Sequence, residues 1–277
     1  MSLLDILTTG DSRERERRSA MGALVDDLAR TDFAERHPGA TLGPVVVLIA
    51  AYLEAESIGD VVAAVPSEVH GMAVSTLVVV DGGTDGTDEV AERAGAFVCR
   101  LPVNRGQGAA LRLGYDLAIS HGARFVVTVD ADGQNDPSEI PGLVEPLVTG
   151  EADFVVASRR LGVDHTTDRV RRAGVFVYGT LISRIAGIHL TDTSNGFRAL
   201  TAEVLRNVTL EQDQYQTAEL IISAARRGYR ITERPTAWHP RAAGTSKKGG
   251  NLTFGAAYLR VILRTWLRER RHVRASA

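Results

Sequence analysis

"VVTVDADGQNDP", residues 126–137, decides how the whole chain is read. Four largely apolar residues run into Asp130, and a strand without polar alternation is one buried on both faces. The run stops at two carboxylates and an amide at alternate positions, Asp130, Asp132 and Gln134. Carboxylates are rarely buried without a partner, so this strand end calls for an arginine, a helix N-terminus or a metal ion. Valine-rich runs recur at 45–50, 74–80, 97–101 and 153–157, with helical segments between them at about 56–64, 85–94, 107–120 and 138–148. Apolar strands alternating with helices predict a parallel sheet covered on both faces. Ligands of such sheets bind beyond the C-terminal strand ends, where Asp81 and Asp130 both fall.

The flanks read differently. Residues 1–43 read as an N-terminal helical extension, with Met21, Leu24, Val25 and Leu28 on one helical face after a cap at Ser12. Beyond 160 come longer helices at about 168–187 and 215–228, a short strand at 230–236 and a last helix at about 252–271. The 277 residues, 44% of them apolar, suffice for one large domain or two closely packed halves. A net charge of −2 gives no reason to expect nucleic acid. The single cysteine, Cys99, excludes a disulfide framework and fits a reducing cytoplasm. No signal peptide is expected from the N-terminus, and the longest apolar run, 11 residues ending at Leu53, is too short for a bilayer. Lys247 and Lys248 are the only lysines, adjacent in "AAGTSKKGG": either a flexible point charge placed for a ligand, or two solvated charges on a loop.

Three post-strand loops carry the polar residues. "AAYLEAES" supplies Tyr52 and Glu54, "VVVDGGTDGT" supplies Asp81, and "NRGQGAALRLG" is a glycine-rich turn opening a helix. Such a turn exposes N–H groups and a positive helix end that suit a phosphate, although the same glycines serve tight turns. No G-x-G-x-x-G follows the first strand and no P-loop occurs, which excludes dinucleotide dehydrogenases and P-loop enzymes. Asp130 and Asp132, with Gln134 as a third donor, offer the hard oxygens that Mg²⁺ or Mn²⁺ takes when it shares its shell with substrate phosphates. The alternative is a capping turn before the helix at Ser138. A phosphate loop, an acidic base contact and a metal site at one sheet edge describe a nucleotide-diphosphate site.

Six stretches in order carry a resemblance. "VVVLIAAYLEAESI", "LVVVDGGTDGT", "NRGQGAALRLG", "VTVDADGQNDPSEI", "DTSNGFRA" and "GYRITERPTAWHPRAAGTSKKG" resemble glycosyltransferase family 2, and within it the polyprenyl- or dolichyl-phosphate sugar transferases. The resemblance implies an α/β fold of the GT-A type, a mostly parallel nucleotide-binding sheet flanked by helices with C-terminal amphipathic helices. It also implies a GT-A domain over 44–250 and a basic amphipathic helix over 251–277. Tyr52, Glu54, Asp81, Gln107, Asp130 and Ala131 would hold the donor nucleotide, and Asp130, Asp132 and Gln134 an Mg²⁺ or Mn²⁺ ion. Arg159, Arg172 (or Arg171) and Arg241, with Ser246 and Lys247, would hold an acceptor phosphate, a task that suits the arginine fork. Three positions depart from the family pattern: Ala50 stands for a proline, Leu53 for an asparagine and Val80 for the first of two aspartates. These departures bear on which base is accepted.

The acceptor decides the catalytic groups. A phosphate monoester is largely a dianion at neutral pH, its second pKa being about 6, and attacks without losing a proton. A hydroxyl acceptor needs a carboxylate base, for which Asp192 and Glu219 are candidates. Asp192 equally suits orienting an arginine such as Arg198, and Glu219 a solvated position. The C-terminal helix, with Leu252, Tyr258, Val261, Ile262, Thr265 and Trp266 along one side and five arginines elsewhere, and the similar 169–187 helix read either as a basic rim on an anionic membrane or as helices packed on the core. The expectation is an inverting, metal-dependent hexosyltransferase, peripheral to the cytoplasmic membrane face, that moves sugar from a nucleotide-diphosphate donor to a polyprenyl phosphate. Asp132 and Asp192 are its candidate catalytic groups, Gln107 favours UDP over GDP, and a homo-oligomer is left open. The alternatives are a soluble hydroxyl acceptor or a non-catalytic nucleotide-sugar-binding protein.

Overall fold

The computed structural model describes residues 12–165, 169–241 and 251–275. The valine-rich runs become the strands of one sheet. β1 (Val45–Ala51) lies between β3 (Met72–Asp81) and β5 (Phe125–Asp130), parallel to both. β4 (Phe97–Leu101) extends the parallel set past β3, and the short β2 (Glu68–Val69) folds back on the start of β3. On the other side β7 (Arg198–Thr201) pairs antiparallel with both β5 and β6 (Phe154–Asp164), and β8 (Ile231–Trp238) lies parallel to β6. β7 was not expected: its four residues are too few to show a pattern, and only the register between two strands defines it. β6 also runs further than expected: after a register shift its last residues, Val163 and Asp164, pair with Ala237 and Trp238 of β8, with Leu161 and Val163 exposed.

Period-2 burial divides the apolar residues into two cores. Val45, Val47 and Ile49 face α2 (Ile58–Ala63) and α5 (Ile140–Val148). Val46 and Leu48 face α1 (Ser12–Arg36), α4 (Gln107–Ser120) and the late helices α6 (Arg169–Ala186), α8 (Gln216–Arg226) and α9 (Asn251–Ala275). α3 (Thr87–Arg93) and α7 (Ala202–Asn207) complete the connections.

Of the two terminal helices, the first departs from the sequence reading and the last follows one of its two alternatives. α1 buries Val25, Ala29 and Phe33, while Met21, Leu24 and Leu28 are more than half exposed. The flanking charges select this face, because Asp32 pairs with Arg100 at 2.7 Å, Asp26 with Arg105 and Arg36 with Glu92. α9 packs on α8 and α6, burying Tyr258, Val261, Ile262 and Thr265. The packed alternative for this helix is the one found on this side: Arg268 meets buried Glu219 at 2.7 Å, with Glu211 at 3.3 Å. No helix among the described residues is long and apolar enough to cross a membrane.

Candidate active site

β1, β3 and β5 end side by side, with Ala51 opposite Val80 and Ala50 opposite Asp130. The loops that follow therefore share one edge of the sheet. Val80, where the family pattern has an aspartate, is buried in the core. Tyr52 is partly exposed at the rim, and the chain turns at Leu53 with φ +54°, a left-handed conformation that suits asparagine better than leucine. The Glu54 N–H then donates to Thr87 Oγ1 at 2.9 Å and the Ala55 N–H to Asp85 Oδ2 at 3.1 Å, tying this loop to the start of α3.

Asp81 is buried and faces the glycine-rich turn. Its Oδ1 accepts the Arg105 N–H and its Oδ2 the Gly106 N–H, both at 2.7 Å. Burial pushes its carboxyl up, and the two N–H groups partly offset that. Both oxygens thus hold the loop that opens α4, a positioning part that sequence reasoning had not assigned to it. The Gly108 N–H donates to Asp213 O at 2.8 Å, and any side chain at Gly108 would collide with the Gln212 carbonyl. Gln107 reaches across to Asp130, Nε2 to Oδ1 3.2 Å.

The turn after β5 gathers the acids. The Asp130 N–H donates to Asn135 Oδ1 at 3.3 Å, and its carboxylate lies against the backbone of Gly196, where an added Cβ would sit 2.5 Å from Oδ1. Asp132 is 8% exposed, and its Oδ1 accepts the Gln134 N–H at 3.1 Å. Burial raises its carboxyl, the charge of Asp130 raises it further, and Arg241 opposes both. Arg241 stands between two acids, Nη2 2.8 Å from Asp132 Oδ2 and Nη1 3.5 Å from Glu54 Oε1. Ala131 is buried, with its carbonyl accepting from Ser57 Oγ at 2.8 Å, so its part at the site is through backbone. Gln134 gives its Nε2 to His239 O at 3.1 Å, and its carbonyl accepts the His239 N–H at 2.9 Å, which fastens the end of β8 to the acidic turn. Among the described residues no group of three or more His, Cys, Asp or Glu side chains is disposed to hold an ion. An ion here would need oxygens from its ligand.

The candidates for a general base lie elsewhere. Asp192 is fully buried; Arg159 binds it side-on through one guanidinium edge, Nε to Oδ2 2.6 Å and Nη2 to Oδ1 2.9 Å, and Ser194 adds an N–H at 3.2 Å. Burial alone would raise this carboxyl, but Arg159 more than reverses it and holds it below the usual range. Enclosed in this way, the Asp192 carboxylate is committed to its arginine. It does orient an arginine, but Arg159 rather than Arg198, which bonds Thr128 and the Gly196 carbonyl. Arg159 is itself 7% exposed, lies 4.7 Å from the Trp238 ring centroid and donates to Ser194 Oγ, so much of its fork is taken up inside the protein. Glu219, the other candidate, accepts the N–H groups of Glu211 and Gln212 and pairs with Arg268. Glu233, to which no role had been given, takes the N–H groups of Thr191 and Asp192 at 2.8 and 2.9 Å; its signal was its place in "ITERP". Ser246 and Lys247 lie outside the described residues, as does the side chain of Arg172 in α6.

The comparisons agree with this geometry. The family model "Glycosyl transferase family 2" matches residues 46–209, which spans β1 to β7 and the helices between them. A dolichyl-phosphate hexose transferase of Haloferax volcanii is 31% identical over 230 residues, 83% of this chain and 97% of its own. An undecaprenyl-phosphate mannosyltransferase of Micrococcus luteus is 32% identical over 223 residues, 75% of this chain and 88% of its own. A crystal structure of glucosyl-3-phosphoglycerate synthase from Mycobacterium tuberculosis with Mn²⁺, UDP and glucosyl-3-phosphoglycerate superposes with a TM-score of 0.64 at 22% identity, covering 86% of this chain and 82% of that one. The GT-A sheet implied by the sequence motifs is the one found, and the chain belongs to glycosyl transferase family 2.

Proposed function

We propose that this glycosyltransferase moves a hexose from a nucleoside-diphosphate sugar to a phosphate acceptor carried on a polyprenyl chain, with inversion at the anomeric carbon. One observation carries the reading of the acceptor: both carboxylates considered as a base, Asp192 and Glu219, are buried and spent on arginines and backbone N–H groups. A hydroxyl nucleophile needs a base within hydrogen-bond reach, whereas a phosphate monoester is already charged at neutral pH. The printed names of the two polyprenyl-phosphate relatives support the same acceptor class, which would bring the enzyme to a cytoplasmic membrane face.

The donor is read from the strand ends. Tyr52 and Glu54 flank the base and ribose, with Asp81 holding the glycine-rich turn beside the diphosphate. The acidic turn fits a divalent cation: Asp130 and Asp132 are hard oxygen donors, and burial plus mutual repulsion leaves Asp132 in want of positive charge. When bound with the donor, Mg²⁺ or Mn²⁺ on these two carboxylates would neutralise the charge that grows on the departing diphosphate. The solved relative that holds Mn²⁺ and UDP supports that pairing, and UDP is the donor we favour. Arg241, held between Glu54 and Asp132, is near enough to bind phosphate oxygens once either acid turns to the cation.

The test is transfer from radiolabelled UDP-glucose, UDP-N-acetylglucosamine and GDP-mannose, each with Mn²⁺ or Mg²⁺. The acceptors are a short polyprenyl phosphate in detergent and, in parallel, 3-phosphoglycerate. Label in the lipid phase, abolished by Asp132→Ala, is the expected result. Label on the soluble acceptor alone would transfer the reading to a hydroxyl acceptor, and nucleotide binding without turnover would leave a sugar-nucleotide-binding protein.

A further inference from the structure

α6 and α9 run side by side, with Tyr178 against Tyr258 at a ring separation of 5.1 Å and, a few turns on, Ile185 and Trp266 lining one cavity. The lining of this cavity includes no residue of the acidic turn or of the glycine-rich turn. It measures about 480 Å³ and is lined by Arg184, Ile185, Arg226, Leu263, Trp266 and Arg270. Arg184 also borders a neighbouring cavity of about 500 Å³ that has Arg160 and His189 in its wall.

Neither lining contains an aspartate or glutamate. In a chain whose acids outnumber its arginines and lysines, 34 to 32, that is a local reversal of charge. The nearest acid in sequence, Glu269, is turned into the helix interface, where Ser223, Arg227 and Arg268 take its oxygens. Arg226, whose Nε is buried without a hydrogen-bond partner in the structure, brings its side chain to the cavity wall. The Arg270 guanidinium lies 4.5 Å from the Trp266 ring centroid, which leaves the donors at its edge for an anion. Trp266, Leu263 and Ile185 give the same cavity an apolar wall.

We infer that this cavity seats the phosphate headgroup of an anionic phospholipid, with the glycerol and first acyl carbons against Trp266 and Leu263. Three arginines without an acid among them and an indole at the rim match a phosphate attached to an apolar tail. The site is separate from the transfer chemistry and stands whether or not the acceptor is a polyprenyl phosphate. It fixes the α6–α9 flank, not the exposed stripe of α1, as the face that meets the bilayer.

The test uses the full chain and vesicles of phosphatidylcholine with or without phosphatidylglycerol, free of any polyprenyl phosphate. Binding is measured by flotation and by quenching of Trp266 with brominated lipid; the second tryptophan, Trp238, is buried. Tight binding to phosphatidylglycerol is expected, weakened about fivefold by Arg226→Gln and about thirtyfold by the Arg226→Gln/Arg270→Gln pair, from the worth of one arginine near an anionic surface. Arg184→Gln, on the other helix, should weaken it as Arg226→Gln does. The pair Arg93→Gln/Arg206→Gln, exposed arginines outside the cavity, should change it less than twofold. Equal loss in that control pair, equal binding to pure phosphatidylcholine, or displacement of the vesicles by glycerol 1-phosphate would each overturn the proposal. The last would mean a soluble phosphate ligand. UDP binding with Mn²⁺ should be the same in all these variants, so a failed donor site would be seen separately.

Discussion

With Asp192 fully buried and both its oxygens on Arg159, replacing it by asparagine leaves a guanidinium in the interior without its counter-charge. Breaking such a pair from one side costs about 3–5 kcal/mol, so Asp192→Asn should melt roughly 10 °C below the wild type. The pH dependence has a definite sign. The folded carboxyl titrates below its unfolded value of about 3.9, so its contribution is complete above about pH 5 and is lost as pH falls through those two values. The gap in melting temperature should therefore be flat from pH 5 to 8 and close in acid. A variant that melts like the wild type yet transfers no sugar would restore the base reading. Gly196 tests the acidic turn from the other side. A methyl there would sit 2.5 Å from Asp130 Oδ1 and must push that carboxylate away. Gly196→Ala should lower the affinity for Mn²⁺ with UDP about tenfold, as calorimetry would read it, and change unfolding by less than about 1 kcal/mol.

At the scale of elements, α9 is held by charge as well as by its apolar stripe. Arg268 caps a fully buried Glu219, and Glu269 is buried beside Ser223 of α8. Arg268→Ala leaves Glu219 its two backbone donors but removes its cation, so urea unfolding should show a loss of about 3 kcal/mol. Amide exchange in α9 should speed up before that in β1 or β5. Unchanged stability would mean that the helix sits on the core by its apolar side alone. The glycine-rich turn is a second case of one element fixing another: Asp81 at the end of β3 holds Arg105 and Gly106, and the 212–213 loop holds Gly108. The N-terminus of α4 is thereby set before any donor arrives.

Across the whole molecule, the proposed donor site draws on five segments far apart in the chain: the ends of β1, β3 and β5, the turn opening α4 and Arg241 beyond β8. The described residues give an ion two carboxylates rather than three. The cation and the nucleotide should then bind together: titrating Mn²⁺ alone should show millimolar affinity at best, rising more than tenfold when UDP is present. Equal affinity in both titrations would mean a complete protein-borne site that the fold does not explain.

The parallel strands β1, β3 and β5 were legible in the residues, because a strand buried on both faces must be apolar throughout and its end is marked by the first acid; β4, an edge strand carrying Arg100, was legible from its apolar run alone. Asp130 and Asp132 were legible for the same reason, as charges where apolar burial stops. The buried face of α1 was not, since Val25 and Leu28 are equally apolar and only the partners of Asp26, Asp32 and Arg36 chose between faces. Nor was β7, which exists only through its register on β5 and β6. The sequence by itself determined the parallel strands, the family and the acidic turn, since burial and turn chemistry are local. Only the tertiary structure decided that Asp192 belongs to Arg159, Glu219 to Arg268 and Arg241 to the acidic turn, because a charge's partner depends on which strand ends the fold brings within hydrogen-bond reach.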